Sequence, residues 1–231
     1  MLVTDWSSLS LDELRDHAVH SYRSAHGTRP DVMLIRVDGN EAGLKDYTHS
    51  DTWFKRLIAP LLVYRELRSL RKLDGIDGVP RLYHVYSKHA FLIESVSGVP
   101  ASQKSAGELD SDFFAKMIAL ISRIHERGVA HCDLRSGGNT IVTDDQEPWM
   151  VDFVASVHRG SSWNIPARWI FRQFAEADMS AVLKMKKRIA PELLTGEELD
   201  SMNNPRSLIE RAGRKLGKTV RRFTRNLFLS R

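Results

Sequence analysis

The chain is poor in several things that would have placed it quickly. It has one cysteine, Cys132, in 231 residues. No disulfide can form within it, and a reducing compartment such as the cytoplasm suits it. It has no run of the roughly 18–20 apolar residues that spans a bilayer. The start, MLVTDWSSLSLDELRDH, carries acids and no apolar stretch, so a signal peptide is not expected. The nine histidines show no H-E-x-x-H spacing, which removes the common zinc-hydrolase pattern. Internal repeats and low-complexity segments are also missing.

Charge of one sign is scarce in one region only. The formal net charge is +5. From Asn204 to Arg231 there are nine Lys/Arg and one acid, Glu210, so this tail is +8 and the preceding 203 residues are −3. The basic character belongs to the tail and not to the body. In the tail, Leu208, Ala212, Leu216, Val220, Phe223 and Leu227 recur at helical spacing among Lys and Arg. That is the pattern of a basic amphipathic helix on an anionic membrane surface. A helix packed on the body is the plainer reading. Nucleic acid is the weakest partner class, because the body is acidic and offers no aromatic platform.

Along the body, 11–25 reads as a helix with an acidic start. DVMLIRVDGNEAGLKDY reads as two strands, VMLIRV and GLKDY, around the turn DGNEAG. TWFKRLIAPLLVYRELRSLRKL is helical, with Pro60 as a kink or a divider. HAFLIESV is a strand that Ser97-Gly98 interrupts. DSDFFAKMIALISRIHERG is an amphipathic helix that Asp110 or Ser111 can cap. In HCDLRSGGNTIVTDDQEPWMVDF, NTIVT and PWMVDF form a small hairpin around DDQE. The expected class is α+β in two lobes: a strand-rich lobe over 1–96, a helical lobe over 97–203, then the tail over 204–231.

The last segment carries the chemistry. Phosphoryl transfer needs a carboxylate to orient a hydroxyl, oxygen ligands for Mg²⁺, and a cation on the phosphates. Asp133, Asn139 and Asp152 supply the oxygens in that order. The run resembles the H-R-D-x-x-x-x-N and D-F-G motifs of the protein-kinase superfamily. By that resemblance Asp133 orients the acceptor, and Asn139 and Asp152 hold Mg²⁺. Lys45, in GLKDY, is then the phosphate-positioning lysine, and Glu66, in YRELRSL, is its partner on the following helix. Glu94 and Val96 are the hinge residues that take the adenine of ATP.

Within the superfamily the chain is most similar to small bacterial kinase-like proteins, both RIO-type kinases and the sugar kinases of the lipopolysaccharide core. Asp178 then resembles the buried aspartate that braces the catalytic loop, although a helix-start carboxylate is the other reading. The resemblance implies an ATP- and Mg²⁺-dependent kinase acting on a hydroxyl. With a membrane-bound tail, the acceptor is a lipid-linked sugar such as lipopolysaccharide core, at the inner face of the membrane. A RIO-like Ser/Thr protein kinase and an inactive binding module are the alternatives.

Three departures bear on this. Five residues, not four, separate Asp133 from Asn139, and Gly137-Gly138 is expected to absorb the extra one. Asp152-Phe153 is followed by Val154 where the motif has glycine, which implies a fixed loop. No G-x-G-x-x-G precedes Lys45, so the VDGNEAG turn is expected to cover the phosphates with backbone N–H groups. Three plainer readings complete the inventory. His131 packs and does not catalyse, Cys132 is no nucleophile, and Asp144 and Asp145 occupy a turn. Ala190-Pro191-Glu192 only mimics a kinase signature, with Pro191 opening a helix.

Overall fold

A computed structural model describes residues 4–203. The expected amphipathic tail, 204–231, lies outside the described residues.

The first departure from the sequence reading comes at the N-terminus. Helix α1 (Leu11–Asp16) is only six residues long, opened by a capping box in which Ser10 and Glu13 satisfy each other's backbone N–H groups. The helix expected over 11–25 stops there, and β1 (Ala18–Arg23) follows. A helix this short is marginal on its own. Pairing with β2 (Asp31–Val37), from Ala18↔Ile35 to Arg23↔Val32, instead gives the backbone a ladder. Val19 and Tyr22 suit that edge-strand role.

The second departure is the turn. β2 and β3 (Asn40–Asp46) pair in unbroken register from Asp31↔Asp46 to Val37↔Asn40. Only Asp38 and Gly39 are left in the turn, both with positive φ, as a two-residue hairpin of the right twist requires. The Asn-Glu-Ala-Gly expected in the turn is strand.

Two helices follow, α2 (Thr52–Leu57) and α3 (Ala59–Leu73). Pro60 divides them from the first turn of α3, where its missing N–H costs nothing. β4 (Leu82–Val85) and β5 (Ala90–Glu94) complete an antiparallel sheet of order β1-β2-β3-β5-β4. Trp6, Leu14, Ile35, Val37, Ala42, Leu44 and Leu92 form one small core, where the N-terminal segment packs on the sheet.

Residues 95–97 lead from β5 to the second lobe. Gly98 follows with φ 151, and a Cβ there would sit 2.3 Å from the Val142 carbonyl oxygen. Only glycine permits that approach. β6 (Val99–Pro100) pairs with β8 (Thr140–Val142), which pairs with β9 (Pro148–Met150) as the expected small hairpin. α4 (Ser111–Glu126) is capped by Asp110, whose carboxylate accepts from Phe113 N at 2.9 Å. Its apolar side buries Phe113, Phe114, Met117, Leu120, Ile121 and Ile124, each contributing on the order of 1.5–3 kcal/mol. β7 (Val129–Ala130) pairs with β10 (Val157–His158), and α5 (Ile165–Ile189) and α6 (Gly196–Asn203) close the chain. Pro191 opens a 3₁₀ turn after α5.

The α+β, two-lobed architecture is therefore the one expected. The main core, however, runs through both lobes: Val63, Leu67 and Leu70 of α3 and Phe91 of β5 share it with α4, Phe153 and α5. The 95–97 linker divides the chain without dividing this core. Among the described residues no helix is long and apolar enough to cross a membrane.

Candidate active site

Lys45 lies on β3, opposite Phe91 of β5. Its ammonium donates to Glu66 Oε2 of α3 at 2.7 Å and to Asp152 Oδ1 at 2.9 Å. Lys45 and Glu66 are both buried. Burial pulls the lysine pKa down, but the Glu66 and Asp152 carboxylates outweigh it and raise the pKa well above the ordinary value. Burial likewise pushes Asp152 up, and Lys45 more than reverses this, leaving Asp152 below the usual carboxylate range. For Glu66, burial is the largest effect and the nearby Asp152 carboxylate adds to it, so its pKa stays above the ordinary carboxylate value although Lys45 opposes the shift.

Asp152 stands at the end of the β8–β9 hairpin in a left-handed conformation, φ 65 and ψ 70. That is costly for a non-glycine residue, about 1–2 kcal/mol. It lets the chain turn from β9 into the right-handed 3₁₀ turn Phe153–Ala155. The strain thus falls on Asp152, and Val154 keeps a negative φ. The loop is held from α3: Arg65 donates to the Val154 carbonyl at 3.1 Å and to the Ser156 carbonyl at 2.9 Å. Ser69 and Ser156 hydroxyls meet at 2.6 Å. After β10 the chain passes through 159–164 straight into α5, leaving no long segment for an acceptor platform.

The loop between β7 and β8 carries Asp133 and Asn139. Asp178 of α5, buried, accepts from His131 N at 2.7 Å, Cys132 N at 2.8 Å and His125 Nε2 at 3.1 Å. It braces the loop backbone, as its resemblance to the kinase aspartate implies. Cys132 is held there at φ 70. Its thiol is pushed far up by burial and by Asp178 and makes no nucleophile. His131 packs its ring on Phe153, and its Nε2–H donates to the Val151 carbonyl at 2.9 Å. Gly137, at φ 72, takes up the extra residue of the loop; a Cβ would meet Ser102 N at 3.1 Å.

Asn139 Nδ2 donates to the Asp133 carbonyl at 3.0 Å and to Asp133 Oδ2 at 3.1 Å. The Asn139 carbonyl accepts from Val151 N at 3.0 Å, which fixes Asn139 one residue from Asp152 across the hairpin. This leaves the side-chain oxygen of Asn139 and Oδ2 of Asp152 without a hydrogen bond among the described residues. Two hard oxygen donors beside a cavity fit a Mg²⁺ ion.

The cavity has a volume of about 190 Å³ and is lined by Arg23, Pro30, Lys45, Tyr47, Asp133, Asp152, Val154 and Ala155. It suits phosphate groups and a hydrated ion better than a whole nucleotide. Glu94 and Val96 do not line it. Glu94 N donates to the Arg81 carbonyl at 2.8 Å, and Glu94 Oε2 accepts from Arg81 N at 3.1 Å. Its N–H is therefore spent within the sheet, whereas the 95–97 backbone makes no such bonds among the described residues.

Arg23 and Tyr47 escaped the sequence reading. Arg23 was hidden inside the expected helix. Tyr47, two residues beyond Lys45, is buried against the same charges, with burial first and Glu66 and Asp152 among the causes that push its phenol up to about 12. The cover over the cavity also differs. Lys45 pairs with Val32, whereas Asp38 and Gly39 lie six residues along the strand, roughly 20 Å away. The turn expected to cover the phosphates is at the wrong end of the hairpin. Arg23 and Pro30 line the cavity instead, and the loop between them is tied down by Asp51 N donating to the Gly27 carbonyl at 2.8 Å.

This geometry agrees with the comparison of sequences. Residues 35–193 match the RIO domain family. The chain belongs to the RIO domain family. In fold this RIO domain is similar to the Rio2 kinase of Chaetomium thermophilum, with a TM-score of 0.59 at 18% identity over 85% of this chain and 67% of that one. A second structure of the Rio2 kinase from that organism, an ADP/Mg²⁺-phosphoaspartate complex, matches with a TM-score of 0.56 at 17% identity, covering 96% of this chain and 78% of that one. No curated protein matches the RIO domain described here in sequence. The two-lobed kinase-like fold stands on these matches and on the topology.

Proposed function

We propose that this RIO domain is an ATP- and Mg²⁺-dependent phosphotransferase acting on a hydroxyl. The carrying observation is the Lys45 ammonium, 2.7 Å from Glu66 and 2.9 Å from Asp152, in a cavity that Asp133 also lines. Lys45 holds phosphate oxygens, and Glu66 holds Lys45. Asp152 and Asn139 are the residues that would hold Mg²⁺, which when bound neutralises phosphate charge. Asp133 orients the acceptor O–H and takes its proton. The 94–96 segment takes adenine, through Val96 more than Glu94.

A Ser or Thr of a protein is the acceptor that membership of the RIO family favours. The lipid-linked sugar implied by the likeness to lipopolysaccharide kinases gains nothing from the family match. The phosphoaspartate in the Rio2 kinase complex supports a second reading, ATP hydrolysis through an aspartyl phosphate on one of the two cavity carboxylates. It is distinguished by label on the protein that hydroxylamine releases.

The test is turnover of labelled Mg²⁺-ATP with protein fractions as acceptors. Asp133→Asn is expected to lower turnover by about 10²-fold or more while ADP/Mg²⁺ still raises the melting temperature. Unchanged turnover in Asp133→Asn refutes the assignment. Nucleotide binding without turnover in the parent protein establishes the inactive binding module instead.

A further inference from the structure

The outer face of α3 and the chain that follows the Asp152 loop share an unusual composition. Between Thr52 and Leu73 the one acid is Glu66, and it is buried against Lys45. Arg68, Arg71 and Lys72 are exposed on that helix. Between Phe153 and Ala175 there is no acid, while Arg159, Arg168 and Arg172 are present.

The two segments meet. Arg65 bonds the carbonyls of Val154 and Ser156. Burial first, and then the charges of Arg159 and Arg68, lower the pKa of Lys72. Arg159 and Lys72 spend donors on the carbonyls of Glu126 and Gly128. Among the described residues none of Arg68, Lys72 and Arg159 is ion-paired with a carboxylate. Asp74 and Glu126 are the acids at the margin.

Large apolar side chains stand out from the same segments. Leu57, Leu61 and Tyr64 are 71%, 55% and 57% exposed, and Trp163, Ile165 and Trp169 are 80%, 73% and 54% exposed. Large apolar side chains this exposed, carried on two cationic segments that touch each other, mark a contact surface.

We propose that this face docks on an anionic phospholipid surface. Trp and Tyr rings favour the headgroup region, Leu and Ile side chains reach the acyl boundary, and Arg and Lys pair with lipid phosphates. The other occupants fit worse. A second copy of the chain would bring the same cations against this face. The chain's own 204–231 segment carries nine Lys/Arg and one acid, and is repelled likewise. Single-stranded nucleic acid would use the rings and the cations but gives Leu57, Leu61 and Ile165 nothing to enter.

The experiment sediments the full chain with vesicles of phosphatidylcholine, alone or mixed with phosphatidylglycerol. Two double variants are compared with the parent: Trp163→Ser with Trp169→Ser, and Arg68→Glu with Lys72→Glu. Both are expected to keep the parent's melting curve and to weaken binding to the anionic vesicles by about tenfold or more. The parent is expected to leave pure phosphatidylcholine unbound. A blue shift of tryptophan emission on anionic vesicles, lost in the tryptophan variant, places the rings in the bilayer. Parent-like vesicle binding by both variants overturns the proposal, since the basic C-terminal segment then accounts for any binding. So does a single-stranded RNA oligomer that binds tighter than vesicles and is the ligand the variants lose. Self-association in the absence of lipid, abolished by the tryptophan variant, overturns it in favour of a second copy.

Discussion

Asp178→Ala isolates what the large lobe does for the site. Asp178 touches no cavity group, yet its carboxylate is the acceptor for His131 N at 2.7 Å, Cys132 N at 2.8 Å and His125 Nε2 at 3.1 Å. Alanine leaves two main-chain donors without an acceptor in a buried place. Hydrogen bonds to a charged group contribute about 1.5–3 kcal/mol each, so the two together amount to about 3–6 kcal/mol. That is a large part of the roughly 5–15 kcal/mol that holds a domain folded. At about 2–4 °C per kcal/mol for a chain of this size, the melting temperature is expected to fall by about 6–24 °C. Asp178→Asn keeps one oxygen, satisfies one donor, and is expected to recover about half of the loss.

The assay is thermal unfolding followed by far-ultraviolet circular dichroism and by tryptophan emission, with Mg²⁺-ATP turnover measured below the transition. Turnover should fall even in the folded Asn variant, because Cys132 sits at φ 70 and nothing else holds the two N–H groups that set the direction of Asp133. An alanine variant that melts within about 2 °C of the parent refutes the reasoning, since less than about 1 kcal/mol would then rest on the carboxylate.

Other expectations follow from the same contacts. Glu66→Gln leaves the buried Lys45 ammonium with Asp152 alone; it should destabilise the fold by about 3–5 kcal/mol, and a parent-like melt would refute the buried pair. For His158, burial and the charges of Arg68, Lys72 and Arg65 lower the pKa to about 4. The unfolded chain therefore takes up the proton first. Stability should fall as the pH drops from about 6.5 to about 4, by about 1–2 kcal/mol once partial exposure is allowed for. His158→Gln should remove that slope in urea titrations, and an unchanged slope would remove His158 as its source. Gly98→Ala forces a Cβ to within 2.3 Å of the Val142 carbonyl oxygen. It should cost about 1–3 kcal/mol and raise KM for ATP, with no change in either measure ruling out a tight linker.

Much of the site was legible before any coordinates. Lys45, Glu66, Asp133, Asn139 and Asp152 were named from their resemblance, in residue type and order, to the protein-kinase motifs, and the structure brings Lys45, Glu66 and Asp152 into direct contact and Asn139 against Asp133. The hairpin between Asn139 and Asp152 was legible because both its strands and its turn are short and local. That Glu94 N is taken up by the Arg81 carbonyl was not legible, because the bond depends on a partner thirteen residues away. The reading of 11–25 as helix failed for the same reason, and it concealed Arg23.

The order of the chemical groups and the alternation of apolar and polar residues were determined by the sequence alone, since periodicity acts over a few residues. The tertiary structure decided which of those groups meet. Lys45 and Asp152 are 107 residues apart, and only the packing of α3 between the sheet and the Asp152 loop closes that distance. It also decided that Arg23 and Pro30, and not the Asp38-Gly39 turn, stand at the cavity, because strand register sets which end of a hairpin faces a site. The left-handed turn at Asp152 has the same origin: it joins β9 to a loop that Arg65 and Ser69 hold from α3.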